Sequence, residues 1–547
     1  MSTRWGPFVR FRGRLYKSVC VLLSANVFGL AGCSSLEQPS PLYSSSASAL
    51  LPEMSLISAT VDPKSGSNQS SSLWKPPAVP ATATVGKALP ITLSTALQLA
   101  QASPLDIQIA EERIRSSAAQ YDRARVLWLP NINTGVDYFR HDGQIQDVVG
   151  NVFSTDKSTL LLGVGPQAVV SLSDAVYVPL VARQVLNSSD AGAQTVRNDT
   201  TLSVALAYFN VQQARGEVAG AVESLRRAED LVARTTKLAP DLTPEVEINR
   251  AKTEAARRRQ AVEVGYEKWQ VASADLTRLL RLQAGTVVEP AEEPSLIVNL
   301  IDMNVPLDEM ISLALTYRPE LATQQALVQA ALVRIRQEKA RTYLPVVGLR
   351  GVSSNTPGLA GGYFGGGVND DMHNFAARFS VDIQAVWELQ NLGFGNRALV
   401  REREADQRRA LLELQRTQEL IMAEVTQAHS QLSRATKRLK IAEEGAENAL
   451  ATAEKNLQGL GQTKRLGEQL VLVFRPQEAV ASVSALDQSY RDYYQAVADH
   501  NRAQFRLYRA LGHPAEAICR QQQPALAPPS ITFQSDAVNA AEIPKPD

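Results

Sequence analysis

Cysteine is scarce, with three residues in 547, and a chain of this length held by disulfides would need more. Charge of one sign is lacking as well. The 56 Lys and Arg balance 56 Asp and Glu, so there is no basic field to draw in nucleic acid. Histidine is nearly as rare. His141, His373, His429, His500 and His513 are scattered, with no H-E-x-x-H and no cysteine cluster beside them. No G-x-x-x-x-G-K-[ST] occurs, and the glycine run at Gly361–Gly367 lacks the strand-to-helix setting of a phosphate loop. Nothing here reads as an enzyme, a cofactor site or a metal centre. A long apolar run is also missing at the start, where VCVLLSANVFGL, Val19–Leu30, falls short of the roughly 20 residues that a membrane-spanning helix needs.

That short run follows Arg4, Arg10, Arg12, Arg14 and Lys17, and no acidic residue appears before Glu37. A basic segment, then a short apolar one, is the pattern of an export signal. Its removal leaves 51 basic against 56 acidic residues. Leu30-Ala31-Gly32-Cys33 follows at once and resembles the lipobox of bacterial lipoproteins, which implies cleavage before Cys33 and acylation of its thiol. The absence of aspartate after that cysteine implies sorting to the outer membrane. Cys20 leaves with the signal, so Cys519 is the one thiol left free. We divide the chain into a signal at 1–32 and a Ser-, Pro- and Ala-rich acylated tether at 33–90. Two structural repeats follow at 91–290 and 291–513, and a disordered Pro- and Gln-rich tail at 514–547.

The repeats are visible in the sequence. LSTALQLAQASPLDIQIA, Leu93–Ala110, answers LDEMISLALTYRPELATQQA, Leu307–Ala326, and both stretches run on to a Leu-Pro pair. Pro104 and Pro130 are 26 residues apart, as are Pro319 and Pro345. Beyond each Leu-Pro the period becomes two. Ile132, Thr134, Val136 and Tyr138 alternate with polar residues, and the pattern returns from Leu160 to Leu172 and from Phe375 to Trp387. The segment opening Val346-Val347 is weaker and short. Such alternation predicts strands with one apolar and one polar face, fit for a membrane barrel or for a soluble sandwich. Between the strands of the second half, the glycine-rich Thr356–Asp371 reads as a mobile surface loop.

Long helical patterns come next. Val204, Val211, Val218, Leu225 and Val232 are seven apart, each with alanine three residues on up to Ala228. Val425, Leu432, Leu439, Ala446 and Ala453 repeat the scheme 221 residues later. These are coiled-coil seams whose alanines let helices approach closely. The first such helix is expected from about Gln184 to Lys237, roughly 80 Å long. Each seam has a return helix, marked by Ile248, Ala255, Val262, Trp269 and Leu276 in one half and by Val483, Tyr490 and Val497 in the other. His500 shares the spacing of Leu486, Tyr493 and Leu507, which makes it a packed seam residue. Matching ends, Arg278–Arg281 and Arg506–Arg509, are offset by 228, so the second hairpin is expected to carry one extra heptad.

Taken together, the duplicated helix, strand pair and helical hairpin, the motifs ALQLAQASPLDI and ISLALTYRPEL, and the closing RLYRALG resemble the TolC-type outer-membrane efflux family, in its lipoprotein branch. The resemblance covers about Leu93–Gly512. The fold it implies is mainly α with a membrane β part, in which long coiled-coil helices form a periplasmic tunnel and four strands per chain enter a shared trimeric β-barrel. It further implies a homotrimer in outer-membrane lipid, a periplasmic adaptor (membrane fusion) protein and an inner-membrane transporter as partners, and no nucleic acid. The function implied is a passive exit duct for drugs or small toxic compounds. Type I protein secretion is the alternative reading, and a lipid-anchored coiled-coil spacer a third. Asp241, Glu245, Glu247, Lys464, Arg465, Glu468 and Arg475 sit at or near the hairpin breaks and are candidates for gate or docking contacts, or simply solvated tip charges. One departure stands out. LVLVFRPQEA, Leu470–Ala479, puts Pro476 inside the expected return helix.

Overall fold

A computed structural model describes residues 76–77 and 88–513, apart from 103, 130, 239–241, 354–355, 358–360, 366–373, 379–380 and 467–468; side chains are described outside 131–139, 157–168, 349–382 and 464–472. Cys33, Asp241, Glu468, His373 and the tail from 514 therefore lie outside the described residues.

The first half opens with strand β1 (Ala88–Ile91), which begins inside the stretch read as tether. Helices α1 (Leu93–Ala102) and α2 (Leu105–Arg125) follow. Pro104 stands at the N-cap of α2 with φ −65°, which answers why the motif carries its proline: at the opening of a helix its missing N–H forfeits no intrahelical bond. Strands β2 (Asn131–Gln146) and β3 (Val152–Ser171) come next, then helix α3 (Leu172–Leu238) and its return α4 (Glu245–Leu280).

The second half repeats the order. Strand β4 (Val287–Pro290) pairs in parallel with β1, so the two repeats begin side by side. Helix α5 (Leu307–Tyr317) breaks at Arg318, and α6 (Pro319–Arg341) restarts with proline in its first turn. The strand region holds β5 (Val346–Ser353), β6 (Thr356–Pro357), β7 (Gly361–Gly365), β8 (Asn374–Arg378) and β9 (Val381–Val386). A 3₁₀ turn at Gln390–Gly393 leads into α7 (Phe394–Gly459). Strands β10 (Thr463–Leu466) and β11 (Gln469–Leu472) precede α8 (Pro476–Ala510). Among the described residues no helix is long and apolar enough to cross a membrane.

Antiparallel pairing of β2 with β3, β3 with β5 and β5 with β9 lays four strands in the order β2–β3–β5–β9. Their helix-side ends lie together, with Ser171 opposite Val346 and Val346 opposite Val386. Two expectations change here. The stretch from Phe375 to Trp387 is two strands, β8 on β7 and β9 on β5, and part of the glycine-rich loop is strand, since Gly361–Gly365 pairs with both β3 and β8. Backbone pairing is available to glycine without any side-chain pattern, which is why periodicity missed it.

The long helices depart from expectation in the same physical way. Helix α3 starts at Leu172, directly at the strand end and twelve residues before Gln184, with Pro179 inside its early turns; its 67 residues span about 100 Å. The extra heptad expected of the second hairpin is absent. Helices α7 and α8 hold 66 and 35 residues against 67 and 36 in α3 and α4, and the surplus lies in the tip, as β10 and β11. Pro476 accordingly opens α8 rather than interrupting it.

Seam residues pack as their spacing requires. Val204, Val211 and Val218 are buried with Ala207, Ala214, Ala221 and Ala228, and so are Val425, Leu432, Leu439, Ala446 and Ala453. Toward the tip of α3 the buried positions move back by one, to Ser224 and Leu231. His500 is buried in the seam of α8 between Thr436 and Asn299, and burial lowers its pKa. Helices α3 and α8 cross where Gly216 and Gly220 receive aromatic rings: a Cβ on Gly216 would stand 2.4 Å from the Tyr494 ring, and one on Gly220 2.7 Å from Tyr490.

Where α5 breaks, Arg318 turns inward and is fully buried. It donates in bidentate fashion to Glu320 (3.1 and 2.9 Å) and to Glu424 (2.6 Å), while Arg509 donates to Glu320 (2.9 Å), Glu424 (2.7 Å) and Asp199 (2.7 Å). Two guanidinium groups and three carboxylates thus tie α3, α6, α7 and α8 at one level. Burial works against the charge of Arg318, yet Glu320 and Glu424 push its pKa up; burial would raise Glu320, yet the Arg318 hydrogen bonds and charge hold it low. The first copy of the motif has Ser103 before its proline where the second has Arg318, so only the second builds this clasp.

Candidate functional site: the helical tips

Both hairpins end at the same place, and each turn is built differently. At the first, α3 stops at Leu238, the Leu242 amide donates to the Leu238 carbonyl (3.0 Å), and Pro244 at φ −63° starts α4. Glu245 and Glu247 occupy the first turn of α4, where carboxylates meet the positive end of the helix dipole. Glu247 also pairs with Arg250 one turn on, while Glu245 is exposed.

At the second tip Gly461, with φ +98°, turns the chain out of α7 into β10, and β11 brings it back antiparallel with Thr463 opposite Leu472. The Val473 amide closes the base by donating to the Gln462 carbonyl (2.8 Å). Phe474 then folds over Gly459, where a Cβ would stand 2.4 Å from its ring, and only glycine admits that approach. Arg475, exposed, caps α8 with φ −91°, and Pro476 follows where its missing N–H costs nothing. Lys464 and Arg465 lie in β10, so these two residues belong to a β-hairpin and not to a helix-to-helix turn.

The tips pack on one another through Leu231, Ala251, Leu457 and Ala479, with Val232, Leu460 and Val480 around them. Three polar ties join the hairpins just above. Arg234 donates to the Leu457 carbonyl in the last turn of α7 (3.1 Å) and pairs with Asp230 (2.9 Å). Arg227 joins Glu223 (2.8 Å) to Glu454 across the hairpins (3.2 Å). Arg258 of α4 pairs with Asp487 of α8 and with Glu254 (2.8 Å), and Arg491 pairs with Asp487 as well. Burial raises the pKa of Asp487 in spite of its two arginine neighbours.

Sequence reasoning chose charges in the breaks, whereas the ties between hairpins come from inside the helices. The available signal was position: Arg227 stands one residue before seam residue Ala228, and Asp487 one after seam residue Leu486, so each charge borders a packed face. Of the residues chosen, the described side chains of Glu245, Glu247 and Arg475 are not brought together into one contact cluster. Among the described residues no group of three or more His, Cys, Asp or Glu could hold a metal ion.

The model of the outer membrane efflux protein family matches residues 310–460, from α5 through α7. No curated protein sequence matches the chain. Solved structures do, on the fold. The outer membrane channel CmeC of Campylobacter jejuni superposes with a TM-score of 0.60 at 12% identity, over 78% of this chain and 89% of that one. The outer membrane protein VceC of Vibrio cholerae gives 0.60 at 15% identity, over 77% and 96%. The open state of the MtrE outer membrane channel of Neisseria gonorrhoeae gives 0.58 at 15%, over 80% and 97%. The likeness to TolC-type channels read from the sequence is therefore present in the fold, since CmeC and MtrE are outer membrane channels.

Proposed function

We propose, from the outer membrane efflux signature at 310–460 and a fold shared with outer-membrane channels, that this chain is the outer-membrane exit duct of a tripartite efflux pump. The observation that carries the reading is an unfinished sheet. In the order β2–β3–β5–β9, β2 and β9 have no partner on their outer sides among the described residues, and open strand edges are not tolerated in lipid. Three copies pool twelve strands into a closed barrel, within the range of outer-membrane barrels. The same three copies set six helical hairpins side by side as a duct about 100 Å long.

Transport in this reading is physical, not chemical. Cargo passes from the periplasm or an inner-membrane transporter through the duct to the exterior, and a periplasmic adaptor engages the tips. Opening parts the two hairpins at Arg227–Glu454, Arg234–Leu457 and Arg258–Asp487, with Glu245, Glu247, Lys464, Arg465 and Arg475 at the surface the adaptor meets. Asp241 and Glu468 belong to the same tips by sequence. Cys33, acylated after removal of residues 1–32, adds a lipid tether at about 0.8 kcal/mol per buried CH₂. The test is intracellular accumulation of dyes and antibiotics with and without the gene. Higher accumulation in the deletant, restored by the wild-type gene, supports the pump reading; unchanged accumulation together with a lost secreted protein assigns the duct to type I secretion instead.

A further inference from the structure

Where α3, α4 and α8 run together above the tips, their packing leaves a hollow of about 220 Å³. Small side chains are its origin. On one side of α3, Gly216 and Gly220 let α8 approach by Tyr494 and Tyr490; on the other, Gly265 of α4 rests on Val218, where a Cβ would stand 3.0 Å from a valine methyl. Both partners thus lie close against α3, and Ala221, Ala261 and Gly265 are too small to fill the angle between them. Val264 stands in the same wall and is 43% exposed, so the recess is apolar up to its opening.

The opening is cationic. Arg257 and Lys268 of α4 and Arg491 of α8 border it. Lys268 is matched by Glu217 at 2.8 Å, and that pair is neutral. The arginines are not matched one to one. Arg258 and Arg491 share the buried carboxylate of Asp487, and Arg258 also takes buried Glu254 at 2.8 Å. Among the described residues this leaves Arg257 with Glu254 at 3.8 Å. Three guanidinium groups against two carboxylates leave one positive charge in excess, and the group with the weakest partner, Arg257, is 70% exposed at the rim.

An apolar recess with one unmatched positive charge at its mouth has the chemistry of a site for a monoanion with a compact apolar body. Guanidinium groups suit a carboxylate in particular, since the planar fork donates two parallel hydrogen bonds. Volume sets the size: drug-sized ligands fill roughly 300–1,000 Å³, so the body that fits here is smaller, a fused ring pair or a short alkyl chain. We propose that this hollow binds a small amphipathic carboxylate, with its apolar body on Ala221, Ala261 and Val264 and its anionic end held between Arg257 and Arg491. The site has a consequence for the tips that rests on the channel reading above. Arg257 belongs to α4 and Arg491 to α8, so the bound anion bridges the two hairpins, and by drawing Arg491 from Asp487 it leaves that carboxylate to Arg258, the existing tie between α4 and α8. A ligand that adds a bridge only when the hairpins are together favours the closed duct.

The probe is 1-naphthoate, with 1-naphthylmethylammonium as its cationic counterpart. Full-length protein in lipid nanodiscs is dialysed to equilibrium against each, beside empty nanodiscs that report what dissolves in lipid. Saturable uptake of naphthoate above the empty discs, with none of the cation, is the expected result. Arg257→Gln, at an exposed position, should weaken binding about tenfold, the worth of a charge-assisted hydrogen bond. Val264→Trp fills the recess without touching a charge and should abolish binding, with circular dichroism confirming that both variants are folded. Equal uptake of the cation, full binding by V264W, or no uptake beyond the empty discs overturns the site. In planar bilayers naphthoate should also reduce channel opening in wild type. Binding without that effect overturns the bridge between hairpins and leaves the site standing, whereas protein that binds naphthoate but never conducts refutes the channel reading and not the site.

Discussion

Arg318→Ala removes the centre of the charge clasp, and its cost can be worked from the contacts. Stripping one member from a buried ion pair costs about 3–5 kcal/mol when the other charge is left alone. Here neither carboxylate is left alone, since Arg509 still reaches Glu320 at 2.9 Å and Glu424 at 2.7 Å. The lost bidentate arm and the cavity left by the side chain should therefore cost somewhat less than that range, about 2–3 kcal/mol. Arg318→Lys keeps the charge but not the fork, and should lie between the two. The pH dependence has a definite sign. Burial alone would raise Glu320, but Arg318 holds its folded pKa below the ordinary carboxylate value, so its stabilisation is complete above that value and is lost as pH falls through the depressed one. Asp199 opposes this, because burial raises its pKa and acid relieves its penalty. Thermal unfolding in detergent, followed by circular dichroism from neutral to acid pH, is the assay. Arg318→Ala should unfold earlier at neutral pH and lose less on acidification than wild type; an unchanged midpoint, or an unchanged acid slope, would refute the clasp.

A flexible bis-maleimide joining R227C to E454C should hold the hairpins together, abolishing efflux while the trimer still assembles; undiminished efflux in the cross-linked protein removes these ties from the gate. Gly216→Val forces a side chain into the Tyr494 ring and should cost about 1–3 kcal/mol, measured as an earlier thermal transition, with partial recovery when Tyr494 is also cut to alanine. Replacing 463–472 by a short glycine linker should leave the thermal transition in place, since β10 and β11 pair only with each other among the described residues, yet reduce capture by the adaptor. Cys33→Ser should lose the acyl label while the protein still fractionates with outer membrane; wholly soluble protein would argue that no barrel anchors it.

The sequence by itself determined whatever depends on period and repetition. Seams at seven, return helices and His500 as a packed residue were all legible, because side-chain period follows directly from helix geometry. The tertiary structure decided what depends on which backbones meet. Gly361–Gly365 is strand because β3 and β8 flank it, and Pro476 opens a helix because β10 and β11 take up the residues before it. Pairing of that kind leaves no side-chain period to read. The charge contacts divide along the same line. Arg227, Arg258, Arg318 and Asp487 look like ordinary helix-surface charges in one dimension, and only the approach of helices distant in sequence turns them into ties between hairpins and a clasp at the foot of α5. Burial converts a charge from solvated decoration into a constraint, and burial is a property of the assembled helices rather than of any one segment.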